Sequence, residues 1–138
     1  MKTEIKVTGI EHEELVNLLS TALYDSSWFT ACYDRSLYES IENKQGECFE
    51  DKLADMLLAG HKISIVDGEA DGESYSDKFV KFIDYGDAVY EIGLQDFLDV
   101  ASTKRGYQLL EDVLSGDGDY YTADSFLQRV VFGEEVYG

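Results

Sequence analysis

Apolar residues recur at helical spacing over several segments of this chain. The clearest case lies between residues 11 and 24, where the apolar positions are Leu15, Leu18, Leu19, Ala22 and Leu23. The same period predicts further helices at 47–59, 95–101, 104–114 and 123–132. Gly60 and Gly133 stand where a left-handed residue would end two of these helices, and Thr122 is the expected N-cap of the last one.

Shorter segments alternate between apolar and polar residues, which is typical of strands. This pattern predicts strands at 4–8 and 62–66, and a hairpin formed by 78–84 and 88–92 around Tyr85-Gly86-Asp87. The aromatic-rich residues 28–45 follow neither period. We expect them to form a connection packed on the core, with a helical turn near 36–41.

The order of these elements predicts the fold class. Strands that follow one another in mid-chain, with helices on either side, favour an α+β domain. We expect a small, mostly antiparallel sheet of about four strands, packed with about four to five helices. A length of 138 residues, with 44% hydrophobic residues, fits a single domain spanning 1–138 that has a real core.

Net charge changes this picture most. The chain carries 29 acidic against 11 basic residues, a net charge of −18, yet its ten Tyr and seven Phe exclude a disordered acidic tail. So much negative charge argues against direct binding to nucleic acid or to an anionic membrane, and it favours a basic partner. Solubility, or a salt-loving host, would be the simpler explanation of the charge.

The acidic residues form two groups in mid-chain. Around the helix predicted at 47–59 they oppose the apolar face, and they are Glu47, Glu50, Asp51 and Asp55. After the strand predicted at 62–66 they occupy every second position, as Asp67, Glu69, Asp71 and Glu73, followed by Tyr75. Carboxylates two residues apart in an extended chain are about 6.5 to 7 Å apart, a scale comparable to that of phosphates along a nucleic-acid strand. If the turn at Gly60 brings both groups together, they form one partner-binding surface.

No catalytic, metal or cofactor site is expected. The start of the second acidic group, Asp67-x-Glu69-x-Asp71-Gly72, copies the beginning of a calcium-binding EF-hand loop, but Lys78 stands where the loop needs its final Glu. Cys32 and Cys48 lack metal or disulfide spacing. His12 and His61 stand in predicted surface segments without a neighbouring nucleophile. We therefore expect a protein that is not an enzyme.

The expected location is the cytoplasm of a bacterial host. No apolar run approaches membrane-spanning length, and Met1-Lys2-Thr3-Glu4 continues into a strand pattern instead of a signal peptide.

A small, proline-free, acidic domain rich in Tyr and Phe resembles the DNA-mimic inhibitors of phages and mobile elements, such as anti-CRISPR and antirestriction proteins. The resemblance is one of overall character. It implies a binding protein that occupies the nucleic-acid groove of a host defence protein, a CRISPR effector or a restriction enzyme, with acids in place of phosphates. The alternative is a housekeeping or regulatory interaction module whose acidity serves solubility. Its apolar partner contact would use Trp28, Phe29 and Tyr33.

Overall fold

The structure is a computed structural model that describes residues 6–23, 29–67, 88–116 and 120–136. These residues contain six helices, which are α1 (His12–Leu23), α2 (Arg35–Glu39), α3 (Phe49–Leu58), α4 (Leu94–Ala101), α5 (Lys104–Ser115) and α6 (Tyr120–Phe132). They also contain three strands, which are β1 (Phe29–Cys32), β2 (Ile63–Asp67) and β3 (Ala88–Ile92). The predicted α+β class, with a small antiparallel sheet, is confirmed.

The described residues fall into two compact units. One is drawn from Met1–Asp25 and Gln95–Gly138, and the other from Ser26–Leu94. The first unit therefore combines α1 with the helices that follow β3. The single domain expected from the chain length stays a prediction, because compactness alone does not show whether either unit folds by itself.

The first unit is helical. Helix α1 packs against α5 and α6, and α5 also packs against α6. The rings of Phe97 on α4 and Phe126 on α6 lie 6.4 Å apart between centroids. Helix α6 begins at Tyr120, so the N-cap predicted at Thr122 is wrong. That prediction relied only on the preference of Thr for the N-cap position. Tyr120 and Tyr121 are compatible with a helix, so the helix can begin before Thr122.

Helices α4 and α5 meet at a tight corner. The Thr103 hydroxyl accepts a hydrogen bond from the Gly106 amide (3.0 Å) and donates one to the Val100 carbonyl (2.7 Å). Gly106 is buried, and a Cβ added to it would overlap the Val100 carbonyl oxygen. Two helices can approach this closely here only because residue 106 has no side chain.

The second unit holds the sheet, in the order β1-β2-β3 with both pairs antiparallel. Its central strand β2 buries Ile63 and Ile65, and α3 contacts both α2 and β2. Gly60, at φ 90°, directly follows the C-cap Ala59 and ends α3 in the left-handed conformation, as predicted. Strand β1 was not predicted. Its four residues include only one apolar-polar-apolar alternation, Phe29, Thr30 and Ala31, which is too short to indicate a strand.

The remaining predictions for the sheet and its connections have mixed outcomes. The helical turn near 36–41 is confirmed as α2, which Asp34 caps through the amides of Ser36 and Leu37. Residues 6–8 of the predicted first strand are not in a strand, because the Val7 amide donates to the Ser102 hydroxyl (2.9 Å) in the first unit. The predicted strand 78–84 lies outside the described residues. The part of the chain described here thus has three strands where about four were expected.

The segment after Gly133 is bound to α6 by buried and charged hydrogen bonds. Gln128 is 1% exposed, and its side-chain oxygen accepts from the Val136 amide (2.7 Å). The Glu135 carboxylate pairs with Arg129 at 2.7 Å and with Arg105 at 3.6 Å. Partial burial by itself raises the pKa of Glu135, but hydrogen bonds from Arg129, Ser125 and Arg105 outweigh it and hold the pKa below its ordinary value.

Replacing Gly106 by Ala should destabilise the protein. A Gly→Ala change inside a helix usually gains about 0.5 to 1 kcal/mol, but overlap with the Val100 carbonyl reverses the sign and should cost about 1 to 3 kcal/mol. Chemical denaturation measures the difference. Gly9→Ala is the control, since a Cβ there would meet nothing within 4 Å. Equal stability of the G106A and G9A variants would contradict the tight corner.

Replacing Glu135 by Gln should lower stability at neutral pH and have little effect in acid. Because the folded-state pKa is depressed, the carboxylate contributes stability above its unfolded pKa, and this is lost as pH falls through the folded pKa. We expect a loss of about 1 kcal/mol at pH 7 and a smaller one near pH 3, measured by denaturant unfolding. Glu134→Gln, an exposed neighbour, is the matched control. A loss that does not depend on pH would contradict this pairing.

Candidate anionic interface

The start of α3 is fixed by one of its own carboxylates. Asp51 stands three residues after the N-cap Cys48, and its side chain accepts a hydrogen bond from the Cys48 amide at 3.2 Å. Glu50 and Asp51 both lie in the first turn, where the helix dipole favours negative charge. Gly46 leaves the space that the Asp51 carboxylate fills, because a Cβ at residue 46 would overlap it.

Asp55 has a different position from the one predicted. It is 1% exposed, and its two carboxylate oxygens accept from the Gln45 amide at 3.2 and 3.1 Å. The prediction that Asp55 belongs to an exposed acidic face is therefore wrong. Its place four residues after Asp51 turns it towards the same loop, and a buried carboxylate needs such hydrogen bonds. Asp51 and Asp55 together bind residues 45–48 to α3.

The surface-accessible acids of this region are Glu47, Glu50 and Asp51, which we call the α3 acidic patch. Glu47 is exposed, and Glu50 and Asp51 are half-buried. The pKa of Tyr38 on α2 responds to the charges of this region. Burial raises the pKa of its hydroxyl, and the negative charges of Asp55, Glu47 and Asp51 raise it further. Three of the four acids predicted at this helix therefore act electrostatically on one hydroxyl group.

Two lysines of the same region are held over that ring. The ammonium groups of Lys44 and Lys52 lie 4.9 and 5.7 Å from the centre of Tyr38, within cation–π distance. The ring of Tyr33 lies 5.4 Å from that of Tyr38 and 6.1 Å from that of Phe49. Sequence reasoning missed this role of Tyr38. The sequence signal that could have indicated it is that Tyr38 is close in sequence to two lysines, Lys44 and Lys52.

The second predicted acidic group can be located only in part. Asp67 is the last residue of β2, paired with Phe29 and Ala88 in the sheet register. Glu69, Asp71, Glu73 and Tyr75 lie outside the described residues, as does the rest of the calcium-like segment. Their contiguity with the α3 acidic patch and their partner-binding role therefore stay predictions.

A cleft of about 450 Å³ lies in the second unit, next to the loop that Asp55 holds. Residues of that loop, the end of α3 and the turn after it line the cleft, and they are Ser40, Ile41, Glu42, Asn43, Gln45, Asp55, Leu58, Ala59 and His61. The first unit has a smaller cleft of about 300 Å³, in which Asp96 and Asp99 face the same space as Arg129. Neither cleft was predicted.

Two of the groups considered for chemistry, Cys32 and His61, have ordinary structural surroundings. Cys32 is buried, and burial raises its thiol pKa to about 11, which makes it a poor nucleophile. His61 is half-buried in the turn after Gly60, where its amide donates to the Met56 carbonyl. Within the ranges that the structure describes, no three His, Cys, Asp or Glu side chains are grouped so that they could hold a metal ion. Nor is any helix there long and apolar enough to cross a bilayer.

The apolar contact considered for the alternative function is contradicted for two of its three residues. Phe29 is 6% exposed and Tyr33 is 4% exposed, so both are core residues. Trp28 lies outside the described residues. Large apolar side chains that are exposed in the described part are instead Leu37, Tyr107, Tyr121 and Val136.

Comparison with known proteins finds no relative. No protein-family model matches the chain, and no curated protein or solved structure is significantly similar to it. The functional argument therefore rests on the residues and their geometry.

The two cysteines should differ sharply in reactivity. Cys48 is exposed at the start of α3, whereas Cys32 is buried with its pKa raised from an ordinary 9.0 to about 11. That shift alone lowers the thiolate fraction at pH 8 about 100-fold. A maleimide reagent should label one thiol rapidly and the other only after denaturation. Cys48→Ser should remove the rapid phase, and two rapid thiols in the native protein would contradict the burial of Cys32.

Proposed function

We propose that this protein is a non-enzymatic, acidic binding protein, encoded by a phage or mobile element, that inhibits a nucleic-acid-binding defence protein in the bacterial cytoplasm. Its partner would be a CRISPR effector or a restriction enzyme. The protein would occupy the basic groove of that partner with carboxylates in place of phosphates, and it would not bind nucleic acid itself.

The α3 acidic patch is the observation that carries this proposal. Its carboxylates stand at a helix start that is fixed by hydrogen bonds to its own loop, so little backbone freedom remains to be lost on binding. The nearby cations Lys44 and Lys52 are held over Tyr38. Glu47 is exposed and Glu50 is half-buried, so both carboxylates are accessible to a partner.

The charge of the whole chain supports the same reading. In both units the described acidic residues outnumber the basic ones, and the net charge of −18 imposes self-repulsion on the folded protein. Attraction to a basic groove would explain why the protein keeps an excess of negative charge despite this cost. Complementary charge of this kind accelerates association and selects basic partners.

The alternative is an interaction module whose acidity serves solubility. The specific observation in its favour is the exposure of large apolar side chains, with Tyr121 58% and Leu37 42% exposed. Such an interface would be largely insensitive to salt, whereas a charge-based one weakens as ionic strength rises.

Neutralising the α3 acidic patch should impair inhibition. The assay measures DNA cleavage by a purified CRISPR nuclease and by a restriction enzyme, with increasing amounts of this protein at low and high ionic strength. A variant with Glu47→Gln and Glu50→Gln should inhibit less well by about tenfold at low salt. The matched control carries Glu111→Gln and Asp112→Asn, which neutralise two exposed carboxylates of α5 and change the net charge equally.

Equal loss in both variants would show that only the net charge matters and would contradict a shaped patch. Inhibition that does not respond to salt would favour the apolar alternative. Charge reversal of Asp67, Glu69, Asp71 and Glu73 to Lys tests the second acidic group in the same assay. Retained inhibition by that variant would exclude this group from the interface.

A further inference from the structure

The cleft of the second unit is concave, polar and anionic. Its volume of about 450 Å³ falls in the range of ligand pockets, about 300 to 1,000 Å³. Glu42 and Asp55 contribute carboxylates, and no lysine or arginine is among the described residues that line it. The unusual member is Asp55, a carboxylate that is 1% exposed and yet borders an open cleft.

The one lysine that could neutralise the cleft from its own loop points elsewhere. Lys44 stands between the lining residues Asn43 and Gln45. Its ammonium group lies 4.9 Å from the centre of the Tyr38 ring and donates to the Glu39 carbonyl at 3.4 Å. The loop thus presents its neutral and acidic residues to the cleft while its cation is held by α2.

The other lining groups suit a ligand with several hydrogen-bond donors. The Ser40 hydroxyl donates to the Leu37 carbonyl at 2.6 Å, so towards the cleft its oxygen can only accept. Asn43 and Gln45 add amide groups. Ile41, Leu58 and Ala59 form an apolar wall. A guanidinium group on an alkyl stem matches this combination, since it carries five donors in a plane and no acceptor.

The cleft is also built before any ligand arrives. The Gln45 amide holds both oxygens of Asp55, and the amide of His61 donates to the Met56 carbonyl at 2.9 Å. Both the loop and the turn that line the cleft are therefore fixed to α3 by hydrogen bonds that their main-chain amides donate. A preformed site of this kind avoids part of the entropy loss of binding.

We propose that this cleft binds the guanidinium group of an arginine side chain, with the exposed Glu42 as its direct anionic partner and the buried Asp55 adding its negative charge from the cleft wall. The inference rests on the proposed function in one respect, because the arginine would belong to the basic protein that is inhibited. It gives that partner a specific anchoring residue in addition to a general attraction between surfaces.

The test is an NMR titration of the ¹⁵N-labelled protein with N-acetyl-arginine amide. Saturable shifts should be confined to amides within 40–45 and 55–61, with a dissociation constant on the order of 1 mM, as befits a single side chain. N-acetyl-citrulline amide has nearly the same shape without the charge and should produce no saturable shifts. Absence of localised shifts with the arginine derivative, or equal shifts with citrulline, would overturn the proposal.

Variants separate the cleft from general electrostatics. Glu42→Gln should weaken binding about two- to fivefold, and the isosteric Asp55→Asn tenfold or more. Glu39→Gln is the matched control on the same short segment, because Glu39 is exposed but does not line the cleft, and it should leave binding unchanged. Thermal unfolding verifies that Asp55→Asn folds, and Glu42→Gln keeps the test valid if it does not. An equal effect of Glu39→Gln would overturn the site.

Spermidine tests the other source of organic cations. Tighter saturable binding of spermidine in the same cleft would identify a polyamine site and overturn the assignment to a partner's arginine. This experiment needs no partner protein. Failure of nuclease inhibition with intact arginine binding would therefore refute the proposed function alone, and the reverse result would refute only the cleft.

Discussion

The second unit depends on how α3 uses two of its own carboxylates. Asp51 and Asp55, one helical turn apart, accept hydrogen bonds from the amides of Cys48 and Gln45, and so determine where the preceding loop runs. Without these acceptors the loop amides would need other partners. Conversely, Asp55 without its hydrogen bonds would be an uncompensated buried carboxylate, which would cost several kcal/mol. The position of Glu47, the shape of the neighbouring cleft and the packing of Tyr38 all follow from this arrangement.

Acidic residues in this protein therefore divide by task. Some act within the fold, as Asp55 does in binding its loop and as Glu135 does in holding the segment after Gly133 through Arg129. Others, such as Glu47, are exposed and contribute to the field that an approaching molecule meets. In the described part of the chain, negative charge is compatible with a well-packed structure because buried carboxylates such as Asp55 are hydrogen-bonded and others, such as Glu47, are exposed to water.

Long amphipathic helices could be predicted from the sequence because their apolar period repeats several times, as in α1 and α5. Strand β1 could not, since four residues give too little alternation and its pairing with β2 is a long-range contact. For the site, the location of Glu47, Glu50 and Asp51 was predictable from helical spacing. The burial of Asp55 was not, because it depends on where a loop without periodic pattern folds. The cleft and the cation–π contacts of Tyr38 depend on the same loop.

The discontinuous make-up of the first unit has a consequence for folding. Helix α1 precedes the whole β-containing unit in sequence, yet its packing partners are α5 and α6, which follow that unit. During synthesis the apolar face of α1, with Leu15, Leu18 and Leu19, therefore leaves the ribosome well before the surfaces that will cover it. Its burial closes a long loop, an entropic cost that grows only slowly with loop length but delays the step. We therefore expect this helical layer to be completed late in folding, with the apolar face of α1 open to chaperones until then.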